Sequence, residues 1–381
     1  MPVLNIAFVG TESLAKKIAK KGDVRDIESY VHKEERNGKI EIISLLRPLK
    51  HPEKIRPLLS VLNVAKAGII EISKIDSALG EICVSFGCAE IKKGLVIINP
   101  ESGDWIDPEQ VKIIMKQSGL SHWELFEQLP DEHSIREKLF SFMENIEDED
   151  SQLILPVDQF FNVKGVGLVA IGYVQSGIVS KHDTIQVLPA DENGIVRSLQ
   201  VMDDDVDYAI SGDRVGLAIR NLREEALHRG CMIVHADSNA LNKNLSSTFS
   251  IVKAPFQKRV LQVGDVIHAA TDMQFIVGRV NSIEESNLTV DWEVPLWTRK
   301  NNTSDNYYSV GRESNEDNWH HCFTINRHLE KTSISNMNLC STNRVIISLM
   351  SGSRAGCTRS GVMPDRMRVS RQRSAISLWL G

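Results

Sequence analysis

The rhythm of apolar and polar residues changes three times along the chain. Over residues 1–145, short β-rich runs ("LNIAFVG", "KIEIISLL", "AGIIEIS", "GLVIIN") alternate with stretches whose apolar residues recur at helical spacing ("LAKKIAKK", "EKIRPLLSVLNVA", "KIDSALGEICVSF", "PEQVKIIMKQSG"). Pro108 stands near the first turn of the last of these, where a helix tolerates it. "ERNGK", between "ESYVHK" and "IEIISLL", is a hairpin turn signal. Strands alternating with helices predict a mostly parallel sheet with helices on both faces. The segment closes with "HSIREKLFSFMENIEDED", a helix running into the acidic stretch Glu147 to Asp150, which reads as a solvated hinge.

From residue 151 to 240 the period shortens to two. "VGLVAIGYV", "TIQVLP" and "IVRSLQV" are separated by Ser176-Gly177 and "DENG". "DRVGLAIRNL" is the clearest run, with Val215, Leu217 and Ile219 on one face and Arg214, Gly216, Ala218 and Arg220 on the other. Short alternating strands with frequent turns predict a small closed barrel. Residues 246–297 are strand-rich again ("FSIVKA", "VGDVIHAA", "QFIVGRVNSI", "LTVDWEVPLW"), and after Lys300 neither period is sustained.

Composition adds bounds to this pattern. A chain of 381 residues exceeds one ordinary core, so two or three domains are expected. With 42% apolar and 25% charged residues it reads as soluble and globular. It has no long apolar run and no charged-then-apolar leader, so a cytoplasmic protein without a membrane partner is expected. The six cysteines form no C-x-x-C pair and read as free thiols. The net charge of −6 conceals −10 over residues 1–300 and +4 over residues 301–381. An acidic body argues against a DNA partner and leaves room for RNA on local basic strips.

The last 81 residues hold 13 Ser, 9 Asn and 9 Arg but one Lys, whereas residues 1–300 hold 21 Lys to 13 Arg. Such a segment reads either as a disordered basic tail or as a shifted reading frame, and the second is preferred. His320, His321, Cys322 and His328 are metal-ligand types, but no second half of a zinc site accompanies them, so no metal is expected.

At "LPVDQFFNVKGVGLVAIGYVQSGIVSKHDTIQVLP" the chain resembles the second domain of the translational GTPases, the elongation factor Tu superfamily. "IVRSLQV", "AISGDRVGLAIRNL" and "EEALHRGCMI" follow in that family's order. "RSLQ…SGDRVGLAI…RG" is most similar to the archaeal selenocysteine-specific branch and its paralogues, and "VKAPFQKRVLQVGDVIHAATDMQFIVGRV" resembles the opening of its third domain. The likeness covers roughly residues 150–295 and rests on several motifs in series. One departure is His182-Asp183, where the family usually writes Gly-Asp.

The resemblance implies a P-loop-type α/β GTPase domain (1–147), an elongation factor Tu-like β-barrel (151–240), a partial third barrel (246–300) and the atypical tail (301–381). The first domain has the family's element order but not its chemistry. Where a phosphate loop reads G-x-x-x-x-G-K-[ST], this chain has Gly10, Thr11, Glu12, Ser13, Leu14, Ala15, Lys16, Lys17. Lys16 holds the lysine position, but Lys17 cannot ligate Mg²⁺ in place of Ser or Thr. Arg47 to Pro52 replaces the D-x-x-G motif, with His51 near the position of the family's water-orienting histidine, where a surface loop histidine is the preferred reading. Asn99-Pro100-Glu101-Ser102 replaces N-K-x-D. Glu12, at a helix start that would favour phosphate, repels it.

Gly10, Lys16 and Asn99 are therefore the remnant of a degenerate nucleotide site, no catalytic residue is assigned, and no cofactor is expected, GTP with Mg²⁺ being the one in question. In the family, the groove between domains receives the acceptor arm of an aminoacyl-tRNA. The resemblance thus implies tRNA or the ribosome as partner, with Arg197, Arg214, Arg220, Lys258 and Arg259 as candidate phosphate contacts. The leading expectation is a translation factor relative that does not hydrolyse GTP. The alternatives are a slow GTPase and a protein-binding adaptor.

Overall fold

The computed structural model describes residues 2–100, 105–143, 152–253, 260–284, 287–299, 306–312, 320–326 and 346–349, with 250–253 and those beyond 299 described by backbone alone. The first domain runs β1 (Val3–Val9), α1 (Glu12–Ile18), β2 (Lys20–Val24), β3 (Ile27–Arg36), β4 (Lys39–Pro48), α2 (Arg56–Val64), β5 (Ala67–Ile72), α3 (Ser77–Cys88), β6 (Lys93–Ile98), α4 (Pro108–Gln117), β7 (Glu124–Phe126) and α5 (Glu132–Ser141). Its sheet has the order β2-β3-β4-β1-β5-β6-β7. Strands β4 through β7 are parallel across β1, while β2, β3 and β4 form an antiparallel flank.

β1 and β5 are covered on both faces, which is why their sequences are apolar without alternation. Helices α2, α3 and α4 cover one face and α1 and α5 the other. The hairpin expected at "ERNGK" is present, with Asn37 and Gly38 at φ 52° and 74°. The helix expected over "LAKKIAKK" ends earlier. Leu14, Ala15 and Ile18 face the core, Ala19 is extended, and Lys20 and Lys21 enter edge strand β2, where Lys21 pairs with Glu12 and Glu28.

The second domain comprises β8 (Leu155–Val163), β9 (Gly167–Tyr173), β10 (Ile178–Ser180), β11 (Thr184–Leu188), β12 (Glu192–Val201), β13 (Asp204–Val206), β14 (Tyr208–Ile210), β15 (Arg214–Arg220) and β16 (Met232–His235). The order β11-β16-β8-β9-β15-β12, with β11 pairing β12, closes the six-stranded barrel. Val215, Leu217 and Ile219 point into its core, as their alternation requires.

The third domain is a closed barrel of β17 (Leu241–Lys253), β18 (Val266–Thr271), β19 (Gln274–Glu284), β20 (Asn287–Arg299), β21 (Asn306–Arg312), β22 (His320–Asn326) and β23 (Ile346–Leu349). Its last three strands come from the segment after Lys300. Most of residues 301–381, and with them the reading of a shifted frame, lie outside the described residues. So does the acidic run Glu147 to Asp150.

One turn recurs in both barrels and gives the Gly-Asp motif a physical reason. In Ile210-Ser211-Gly212-Asp213, the Asp213 carboxylate accepts the N–H of Ile210 at 2.9 Å, and Gly212 adopts φ 97°. Gln262 and Asp265 repeat the arrangement at 2.9 Å. Ser180-Lys181-His182-Asp183 repeats it as well, at 2.7 Å, but there His182 occupies the left-handed position at φ 73°. The departure noted in the sequence thus falls where a side chain costs most.

Tyr173 from the second domain and Ala270 and Met273 from the third join the core beneath α2 and α3. Buried Asn5 on β1 donates from Nδ2 to Gly212 O at 2.7 Å, tying the first domain to the second. Cys83 and Cys231 are free and buried, whereas Cys88 is disulfide-bonded, which departs from the expected set of free thiols.

Candidate functional site

Parallel strands β1, β5 and β6 end at one edge of the sheet, and that edge gathers Gly10, Glu71 and Asn99. Thr11 caps α1, its Oγ1 accepting from Leu14 N at 3.2 Å. The Thr11 N–H, a backbone donor at the start of this helix, is taken by Glu71 Oε2 at 2.5 Å. The other oxygen, Glu71 Oε1, accepts from Asn99 Nδ2 at 2.6 Å. Gly10 is needed here because a Cβ would stand 2.7 Å from Glu71 Oε2. A buried carboxylate is thus anchored on the donors that converge at this edge.

Arg47 covers the opposite side. Its Nε donates to Gly10 O at 2.8 Å and its Nη1 to Glu28 Oε2 at 2.8 Å. Glu28, whose side chain is 6% exposed, also accepts from Lys21 Nζ at 2.8 Å and from Tyr30 Oη at 2.9 Å. Burial works to raise its carboxyl, yet the Lys21, Tyr30 and Arg47 donors hold it below the ordinary value. Glu12 forms ion pairs with Lys16 and Lys21, each at 2.7 Å, and these two cations, Lys16 first, pull its carboxyl down to about 2.

Of the three expected remnants, Gly10 and Asn99 meet at Glu71, and Lys16 turns outward to Glu12. Glu71 and Glu28 escaped the sequence reading. The signal was available: a lone carboxylate inside the buried run "AGIIEI" requires partners. His51 departs from the surface position expected for it. Its side chain is 7% exposed, with Nε2 3.3 Å from Glu81 Oε2, because α3 covers the loop that carries it.

The candidate RNA contacts separate into groups. Arg197 and Arg220 are exposed on the paired strands β12 and β15, and Arg197 Nη1 donates to Val166 O at 2.9 Å. Arg214, at the other end of β15, departs from the open surface expected of it: it is turned to the first domain, where its Nη2 meets Asp23 Oδ2 at 3.3 Å. Lys258 and Arg259 lie outside the described residues. Among the described residues no three His, Cys, Asp or Glu side chains are grouped as a metal site would need. Nor is any helix among them long and apolar enough to cross a membrane.

An α/β domain followed by two β-barrels is the architecture of a translation elongation factor-like protein, and comparison with known proteins agrees. The family described as elongation factor Tu domain 2 matches residues 167–234, from β9 into β16. An uncharacterized protein of Methanocaldococcus jannaschii is 28% identical over 290 residues, 76% of this chain and 89% of its own. The selenocysteine-specific elongation factor of the same organism is 29% identical over 237 residues. That match takes in 60% of this chain and 47% of the factor, so the chain spans about half of that relative. The apo form of translation elongation factor SelB from Methanococcus maripaludis shares the fold, with a TM-score of 0.65 at 17% identity over 87% of this chain and 81% of that one. The second barrel thus matches the elongation factor Tu domain 2 family, and the chain as a whole is similar to selenocysteine-specific elongation factors.

Proposed function

We propose that this chain is a translation factor paralogue that binds an aminoacyl-tRNA, the ribosome or another translation factor, and that it does so without a GTP cycle. The observation that carries the reading is the Glu71 carboxylate on the Thr11 N–H, with Asn99 on its second oxygen. An anion of the chain itself takes the backbone donor that a nucleotide phosphate would use.

The rest of the donor set fits Mg²⁺-GTP no better. Glu12 adds a second carboxylate in the first turn, and Lys16 is paired with it. Lys17 brings a cation to the position of a metal-binding hydroxyl. With no γ-phosphate sensed, no switch loop is ordered and released, and the first domain serves as a scaffold. The second barrel supports the RNA half of the reading. It carries the family's strands and turns, and Arg197 and Arg220 lie exposed on adjacent strands.

The test is calorimetric titration of the protein, freed of bound ligand, with GTP, GDP and a non-hydrolysable analogue, with and without Mg²⁺. No heat and no retained nucleotide is the expected result. Binding that requires Mg²⁺ overturns it in favour of a slow GTPase. A parallel titration with aminoacyl-tRNA should weaken with salt, and binding to a protein factor alone, with no tRNA binding, supports the adaptor alternative.

A further inference from the structure

The tip of the β2–β3 hairpin, residues 23–26, leaves the first domain and inserts against the second barrel. Two of its carboxylates face two arginines there. Asp23 Oδ2 accepts from Gln159 Nε2 at 2.8 Å and pairs with Arg214 Nη2 at 3.3 Å. Asp26 accepts a short hydrogen bond from Arg229 Nη1. The Arg229 Nη2 lies 3.1 Å from Asp158 Oδ1, on the barrel itself. The turn is braced from behind, where Asp26 O accepts Leu49 N at 2.8 Å and Ser29 Oγ accepts Asp23 N at 2.9 Å.

Most of these groups are withdrawn from water. The side chains of Arg214 and Asp23 are 17% and 16% exposed, and that of Asp158 is 9% exposed. Burial works to raise the Asp23 carboxyl, yet the Gln159 amide and the Arg214 guanidinium hold it below its ordinary value. Removing one partner of such a pair while the boundary stays closed strands the other charge away from water, so each side depends on the other's side chain. The third domain adjoins the same corner through Arg56 of α2, which lies 5.3 Å from the Phe275 ring.

We propose that the β2–β3 turn is a fixed clasp, through which Asp23 and Asp26 hold Arg214 and Arg229 so that the first domain and the second barrel move as one body and do not reorient with ligand. This goes beyond the absence of a GTP cycle, because it concerns the boundary between domains and is measured with no ligand present.

Hydrogen exchange read by mass spectrometry on the full chain tests it, following peptides over 20–27, 155–160 and 212–216. In the wild-type protein the three segments should be protected and should open at a common rate. Asp23→Ala or Arg229→Ala should speed exchange at all three together, by about 100-fold or more. A turn that exchanges freely in the wild-type protein while the barrel stays protected overturns the proposal, and that readout needs no variant to fold. So does a variant that loosens the turn alone. Adding the GTP analogue with Mg²⁺ separates the two readings. Heat of binding with unchanged exchange at the clasp defeats only the proposed lack of nucleotide binding, whereas faster exchange at the clasp defeats the fixed boundary.

Discussion

The edge of the first domain's sheet and the outer face of the second barrel resolve their charges in opposite ways. At the sheet edge, Glu71, Glu28 and Arg47 answer one another or the backbone within the chain. On the barrel, Arg220 is exposed at the end of β15. At the sheet edge the chain's own carboxylates occupy the convergent donors, whereas Arg220 on the barrel is left open to solvent. On the proposed reading, shape and chemistry are separable. The shape rests on apolar burial and turn geometry, the chemistry on a handful of polar atoms.

Five variants test that contrast. Arg229→Ala should have the largest effect, taking from Asp26 and Asp158 the guanidinium that both pair with. A loss of about 3 kcal/mol in urea unfolding is expected, at the lower end for a buried pair because Asp26 is partly exposed.

Asp213→Asn comes next and has the opposite sign. Burial pushes the Asp213 carboxyl up to about 6, an effect the Ile210 N–H only partly offsets. The folded protein therefore binds this proton more tightly than the unfolded chain, whose carboxyl titrates near its ordinary 3.8. Its contribution to stability is fully present below 3.8 and is lost as pH rises through 6. Asn keeps an acceptor for Ile210 and does not titrate, so at pH 7.5 the variant should be more stable by about 2 kcal/mol. At pH 4 the gain should be small, and an advantage that did not change between the two pH values would defeat the burial account.

Glu71→Gln keeps the size of the side chain and removes its charge, so Asn99 and Thr11 lose a charge-assisted acceptor. A loss of about 1–2 kcal/mol is expected, with no gain of GTP binding by calorimetry. If GTP heat did appear, the carboxylate alone would have been blocking the cradle. His182→Gly relieves a left-handed side chain and should raise the unfolding free energy by about 1 kcal/mol. Arg220→Ala should move stability by less than about 0.5 kcal/mol, yet lower the salt slope of tRNA binding by about 1. An unchanged slope would remove Arg220 from the RNA surface.

Much of the framework was legible in the sequence because local rules set it. The uninterrupted apolar runs of β1 and β5, the Asn37-Gly38 turn, Pro108 in the first turn of α4 and the alternation of Val215, Leu217 and Ile219 each express a spacing or a backbone preference. That Lys17 stands where a phosphate loop would carry Ser or Thr was equally plain, since it is a matter of residue identity. The partner of each buried polar group, by contrast, was set by packing. Glu71 meets Thr11 across 60 residues, Arg214 meets Asp23 across 191, and Asn5 meets Gly212 across 207. His51 lies beside Glu81 rather than at the surface for the same reason. Periodicity reports which face of an element is buried, but a hydrogen bond needs atoms within about 3 Å. Between residues so far apart in the chain, that proximity is created only when the sheet, helices and barrels pack.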